Sequence, residues 1–282
     1  MTGSEIVRLR LINQQIAQTK FKKPEEIVHW MVAIQAQEYA FAKWAIGLRL
    51  PGSTDALIEE AFNKGKILRT HLLRPTWHFV TQNDIRWLIS LSAPRVNAAL
   101  APYNKKLELD SKTFKKSNDI LAKILHGGKF LTRNAIRPAF ESAKIKTDTI
   151  RMAHLLFDAE LKGIICSGPK EGKQFTYGLL EERVPPAKQL LRDEALAELA
   201  MRYFESRGPA TVHDFSWWSG LSVTDARKGV SFITSKLERE QVEGREYLFV
   251  NKRINNRSEF LDSFLMPDYD EFTSVVCPLI HK

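Results

Sequence analysis

The chain has 282 residues, 44% of them hydrophobic, enough to bury a sizeable core across two or three small domains. Forty-two Lys and Arg against 33 Asp and Glu leave a formal charge of +9, a balance that favours a polyanionic partner without choosing between DNA, RNA and an anionic membrane surface. Two cysteines, Cys166 and Cys277, in no Cys-x-x-Cys spacing, support neither a zinc site nor a disulfide framework; with no signal peptide and no membrane-length apolar run, a cytoplasmic protein without metal or cofactor is expected.

In chain order, residues 6–17 read as a first helix, and Pro24 starts a second at the first-turn position that tolerates proline. Ile27, Trp30, Met31 and Ile34 then mark one apolar face, which runs into Gln35-Ala36-Gln37. Residues 55–63 form a third helix. Gly65 precedes a hairpin of 67–70 with 76–80, and residues 84–101 form a connecting helix. From Lys105 to Arg151 twelve Lys or Arg face five Asp or Glu, a basic run suited to phosphates but equally to a plain solvated surface.

Within that run a second unit begins. Residues 120–125 are helical, Gly127-Gly128 break the helix, and Thr132 opens another that reaches about Ser142. Thr147 is the expected cap of a helix over 148–162, which Gly163 ends. Ile164-Ile165-Cys166 and Gln174-Phe175-Thr176-Tyr177, joined through Gly168-Pro169, make a wing. After the Pro185-Pro186 linker the order recurs: a helix over 190–206 stopped by Gly208-Pro209, a helix over 212–219, a Gly220-Leu221 turn, and a second helix over 223–240. Thr211 with Asp214, and Ser222 with Asp225, offer capping boxes, and Gly244 centres a hairpin ending in Tyr247-Leu248-Phe249-Val250. Helix, helix-turn-helix and two-stranded wing is the winged-helix order. The expected fold is therefore mainly α with small β-hairpin wings, in tandem winged-helix repeats: 1–101 with the connecting helix, 102–184, 185–255, and a β-rich region beginning at 256–282.

Chemically, the chain offers few candidates. Gln35 and Gln37 are neutral amides. Arg69, His71, Arg74 and His78 on the first hairpin suit phosphate contacts, or are plain strand residues on an exposed face. Arg133 and Arg137 belong to the basic run. Trp77, Trp217 and Trp218 suit base stacking or a core. Asp268, Asp270 and Glu271 lack the spacing of a metal site and fit a local hydrogen-bonding role, and His29 and His154 are most simply structural.

Four segments taken together resemble the winged-helix DNA glycosylases of the AlkZ-like family. They are Ile34-Gln35-Ala36-Gln37-Glu38 running into Gly47-Leu48-Arg49; the hairpin from Leu68 through Arg74-Pro75-Thr76-Trp77-His78 to Val80 with Asp84-Ile85-Arg86-Trp87 after it; Gly208-Pro209-Ala210-Thr211 through Trp217-Trp218-Ser219-Gly220-Leu221; and Leu265-Met266-Pro267-Asp268-Tyr269-Asp270-Glu271-Phe272. Family members continue past the fourth segment into a β-rich part, so that part is expected to be incomplete at Lys282. Gln37 places the chain with the Gln-x-Gln branch rather than the Gln-x-Asp branch.

The resemblance implies excision of alkylated purines, with possible unhooking of crosslinks, from double-stranded DNA by a monomer, and it gives Gln35 and Gln37 the catalytic role. Amides cannot act as carboxylate-like bases, but they can hold a water against the anomeric carbon. That suffices for a cationic purine, which leaves as a neutral base. One requirement follows. On a continuous helix residues two apart diverge by about 200°, so the chain must leave the helix near Ala36. The apolar positions Ile34, Phe41, Ala45 and Leu48 instead fit an unbroken one. The rival readings are a non-catalytic DNA-binding regulator and, with no aromatic RNA platform in view, an RNA-binding module.

Overall fold

The structure is a computed structural model that describes residues 1–187, 189–250 and 263–274. Its first part runs α1 (Gly3–Asn13), α2 (Pro24–Trp30), β1 (Ile34–Gln35), α3 (Tyr39–Leu48), α4 (Asp55–Asn63), β2 (Ile67–Leu72), β3 (Thr76–Thr81) and α5 (Ile85–Lys106). The helix expected over 84–101 is longer at its end. Pro102 does not stop it; the residue is exposed, where water can serve the carbonyl that loses its helical donor.

The middle part runs α6 (Ser111–Leu125), β4 (Leu131–Thr132), α7 (Arg133–Ser142), α8 (Thr149–Leu161), β5 (Ile165–Ser167), β6 (Thr176–Leu179) and α9 (Leu180–Arg183). Thr132 caps α7 as expected, its hydroxyl accepting from the Ala135 amide at 3.2 Å. Two details differ. Helix α6 begins nine residues early, capped by Asp110, whose carboxylate accepts from the Thr113 amide at 2.7 Å; its lysines hide an apolar face of Phe114, Leu121 and Leu125. Helix α8 is capped by Asp148, not Thr147, whose hydroxyl donates to Glu141 at 2.6 Å.

The last part runs α10 (Arg192–Arg207), α11 (Val212–Ser219), α12 (Val223–Phe232), β7 (Leu237–Val242), β8 (Arg245–Val250) and α13 (Glu271–Ser274). Thr211 and Ser222 cap α11 and α12, and Gly220 makes the intervening turn at φ 68°, a left-handed conformation that a Cβ would strain. The single helix expected over 223–240 is overturned: it ends at Phe232, and 237–242 is strand. Glu and Arg favour helix, but antiparallel pairing with β8, through a turn with Glu243 at φ 50° and Gly244 at φ 74°, outweighs that preference. The β-rich region expected from residue 256 lies largely outside the described residues, as does Cys277.

The chain divides into two compact units, 1–59 with 190–282, and 60–189. In the first, α10 is central. It packs against α1 and α12, and its Tyr203 and Phe204 meet Phe215 and Trp218 of α11, with the Tyr203 ring 4.9 Å from Phe215 and 5.2 Å from Trp218. Such buried aromatic pairs add roughly 0.5–1.5 kcal/mol each beyond their area. Gly229 permits the α10–α12 approach, since a Cβ there would lie 2.8 Å from the Leu196 carbonyl oxygen. Helix α1 is tied to the turn after α10 by Arg10 Nε, donating to the Pro209 carbonyl at 2.7 Å, and by Asn13, donating to that of Gly208 at 2.8 Å.

In the second unit α6, α7 and α8 enclose a core of Leu121, Leu125, Ile136, Phe140, Met152 and Leu155, completed by Ile165 from β5. Strand β6 pairs with both β4 and β5. Strands β2 and β3 form a hairpin in strict register from Ile67 opposite Thr81 to Leu72 opposite Thr76, and α5, α8 and β5 pack on β2. Cys166 is fully buried on β5, and burial pushes its thiol up to about 12, which leaves it an inert core residue.

Candidate active site

The chain leaves α2 at Trp30 and does not re-enter a helix until Tyr39. Val32 sits at φ 64°, a conformation that a β-branched residue adopts only when its surroundings hold it there. This exit leaves the Met31 and Ala33 carbonyls without helical partners. Arg207, the last residue of α10, satisfies both, donating from Nη1 to Met31 and from Nη2 to Ala33 at 2.8 Å each.

Ala36 is fully buried, whereas Gln35 before it is half-buried and Gln37 after it is exposed. Strand β1 ends at Gln35, and Gln37 lies in a bend before α3 begins at Tyr39. The break in the helix that the catalytic reading requires is therefore present. The unbroken helix that the apolar spacing also allowed is not.

The segment is fixed from the far end of the chain. Glu271 Oε1 accepts from the Gln35 backbone amide at 2.8 Å, across 236 residues. Its Oε2 accepts from Arg207 Nη2 at 2.7 Å and from the Trp218 indole at 2.8 Å, and the Arg207 guanidinium lies 4.2 Å from the centre of the Trp218 ring. Arg207 and Glu271 are each only 1% exposed. A buried charge is tolerated only when paired and fully hydrogen-bonded, and this pair meets both conditions.

Asp270, the neighbouring acid, does the same for α3. Arg49, the residue after that helix, grips it with two nitrogens at 2.8 Å each, and also donates to Gln14 at 2.9 Å and to the Ala45 carbonyl at 2.9 Å. Burial works to raise the Asp270 carboxyl, but Arg49 beside it holds it below the usual carboxylate range. Asp270 and Glu271 do have a hydrogen-bonding role, but with partners far along the chain and not the local one read for them. The acids clamp the two flanks of Gln35-Ala36-Gln37. Arg207 was missed, since an arginine ending a helix before Gly-Pro looks like a partner of the helix dipole.

The basic candidates fare differently. Strand β2 is buried on both faces, not one, because helices and β5 cover it. Arg69, 7% exposed, lies between the rings of Trp77 and Phe175, at 4.2 and 4.6 Å from their centres, and His78 is fully buried with Nδ1 3.0 Å from the Thr76 carbonyl oxygen. The expected exposed face is absent, so neither is presented to a phosphate. His71 is half-buried and hydrogen-bonded to Glu160, and Arg74 is half-buried. Arg133 and Arg137 are half-buried too, donating to the Thr149 and Thr147 carbonyls in front of α8. Of the tryptophans, Trp218 is core, Trp217 is 68% exposed and Trp77 is half-buried. Among the described residues no group of three or more His, Cys, Asp or Glu is placed to hold a metal ion, and no helix is long and apolar enough to cross a membrane.

No curated protein sequence matches the chain. The fold is similar to that of the Streptomyces sahachiroi DNA glycosylase AlkZ, with a TM-score of 0.73 at 19% identity over 89% of this chain and 70% of that one. The model of the DNA glycosylase AlkZ-like family matches residues 28–273, a span that includes both the glutamine segment and the Asp270-Glu271 pair that clamps it, and the chain belongs to that family.

Proposed function

We propose that this chain is a tandem winged-helix DNA glycosylase that hydrolyses the N-glycosidic bond of alkylated, cationic purines in double-stranded DNA, crosslinked purines included. The observation that carries this reading is the non-helical Gln35-Ala36-Gln37 segment, in which buried Ala36 stands between two less buried glutamines and Glu271 anchors the Gln35 backbone.

The chemistry follows from the residue type. An amide carbonyl accepts a hydrogen bond from water and an amide N–H₂ donates one, so two amides hold and orient a water molecule without removing its proton outright. As the C–N bond of an N-alkylated purine breaks, the ring takes the bonding electrons and its positive charge is neutralised. No acid is needed to protonate the leaving group. The sugar, carrying the developing positive charge, is attacked by the oriented water, which then loses its proton to solvent. A flipped nucleotide is the form in which the anomeric carbon becomes reachable.

The winged-helix reading is supported by repetition. In α6–α7–α8 with β5–β6, and in α10–α11–α12 with β7–β8, three helices precede a hairpin. In both, the residues just before the middle helix add to the hairpin's last strand: Leu131–Thr132 to β6, and Ala210 to β8 at 2.8 and 3.0 Å. The first repeat would comprise 1–101 with β2–β3 as its wing.

The reading is tested by single-turnover excision on a duplex carrying one 7-methylguanine, scored by base release. Release at a rate above the spontaneous one is expected. Binding of the duplex without release would leave a DNA-binding regulator in its place.

We assign DNA contact to the basic run, which holds the half-buried Arg133 and Arg137, together with half-buried Arg74 in the turn between β2 and β3. Because Arg133 and Arg137 also support the entry to α8, the cleaner probe is the exposed pair Lys144 and Lys146. Lys144→Glu with Lys146→Glu is expected to weaken duplex binding equally for all sequences. It should also flatten the dependence of log K on log salt by about 0.9 for each phosphate that is no longer neutralised. Unchanged affinity and slope in a salt titration would remove this stretch from the interface.

A further inference from the structure

Helix α3 is apolar on every side: Lys43 is the only charge in its ten residues, Tyr39-Ala40-Phe41-Ala42-Lys43-Trp44-Ala45-Ile46-Gly47-Leu48. A helix of that composition is ordinarily buried all round. Here only one side is. Ala42, Ala45 and Ile46 enter the core, and Lys43 is held by Asp55 at 2.7 Å and Glu59 at 2.8 Å from α4. On the other side Phe41 and Trp44 are 38% and 48% exposed, and half-buried Leu48 completes an i, i+3, i+7 row. Phe41 comes only four residues after Gln37, so their Cα atoms are at most about 14 Å apart.

Aromatic side chains gain free energy in proportion to the area they remove from water, and two such rings left in water beside the candidate active site are a place where a partner recovers it. We propose that the Phe41–Trp44 face stacks on the bases that lose a pairing or stacking neighbour when the damaged nucleotide is flipped, and so holds the opened duplex against Gln35 and Gln37. The proposal rests on the glycosylase reading and adds to it two positioning residues, which touch the duplex and not the reacting atoms.

Chemistry, rigidity and size all favour bases as the occupant. The exposed groups are rings, and every base has a π face on which a ring stacks whatever the sequence. The helix that carries them is fixed by the Lys43 ion pairs in its middle and by the Arg49–Asp270 pair just past its end, so little freedom is lost on contact. Three side chains in one row fall far short of the roughly 20–30 residues that each partner gives to a stable protein interface, which disfavours a second copy of the chain. The face carries no cation and begins at exposed Glu38, so it contributes through stacking and not through phosphate contact, and its share of the affinity is independent of salt.

Binding to a duplex carrying one abasic-site analogue, which presents the gap without any excision, tests the proposal, with the intact duplex as control. Phe41→Ala and Trp44→Ala are each expected to weaken binding to the abasic duplex by about tenfold or more at every salt concentration. Affinity for the intact duplex and the melting temperature should not change, since both residues are exposed. Trp44→Phe keeps a ring and is expected to retain most of the affinity, while losing the part of the tryptophan fluorescence quenching that base contact with Trp44 produces. Equal abasic-duplex affinity for the wild type and the double alanine variant, an equal loss on both duplexes, or an unchanged quench in Trp44→Phe would overturn the proposal. So would gel filtration in which the double variant dissociates a dimer. The two readings fail separately: a wild type that releases no 7-methylguanine ends the glycosylase reading, whereas release at equal rates by the wild type and the double alanine variant ends the stacking role alone.

Discussion

Glu271→Ala is expected to destabilise the protein by about 3–5 kcal/mol, because it leaves the Arg207 guanidinium buried and unpaired. Two further groups lose their acceptor: the Trp218 indole and the Gln35 backbone amide. Urea unfolding measures the effect. The double replacement Arg207→Met with Glu271→Leu should cost less than the two single ones added together, since it removes both charges and leaves apolar groups of similar volume. A single-variant loss below about 1 kcal/mol, in the range of exposed pairs, would mean that the clamp is not the desolvated pair described here. The effect extends to the proposed chemistry. Glu271 fixes the backbone of Gln35, from which one of the two proposed catalytic amides projects.

Gln35→Ala and Gln37→Ala carry the second large expectation, this time in rate. Each is expected to slow excision of 7-methylguanine by about 10²-fold, the usual loss for one oriented polar group at a reacting centre. Gln37 is exposed and Gln35 half-buried, so stability should change by no more than about 0.5 kcal/mol for Gln37→Ala and modestly for Gln35→Ala. Duplex affinity should be unaffected. Gln37→Asp, which reproduces the other branch of the family, is expected to retain activity or shift adduct preference. Single-turnover kinetics with saturating enzyme separates these effects from binding. Equal rates for the wild type and the double alanine variant would end the catalytic assignment.

Much of the local architecture is legible in the residues. Thr132, Thr211 and Ser222 cap the helices they were expected to cap, Gly220 makes the turn between α11 and α12, and the hairpins β2–β3 and β5–β6 and the strand β8 fall where glycines and β-formers place them. These signals are short-range: a hydroxyl satisfies an amide three residues on, and a glycine relieves a clash with its own neighbours. The Gln-Ala-Gln segment and the acidic pair near residue 270 were visible too, as residues of the right type.

Packing decided the rest. Helical spacing from Ile34 to Leu48 gave no sign that the chain is extended at Ala36; a helix exit is held there by Arg207, which comes from the last turn of α10. Residues 237–242 carry helix-favouring charges and became strand because β8 supplied the hydrogen bonds. Arg69 and His78, read as exposed wing residues, are buried because the hairpin has cover on both faces. The reason is common to all three. Capping and turn geometry cost and gain free energy within a few residues, so the sequence by itself determined them; which face is desolvated, and which distant partner satisfies a backbone group, depends on what packs over it, and only the tertiary structure decided that.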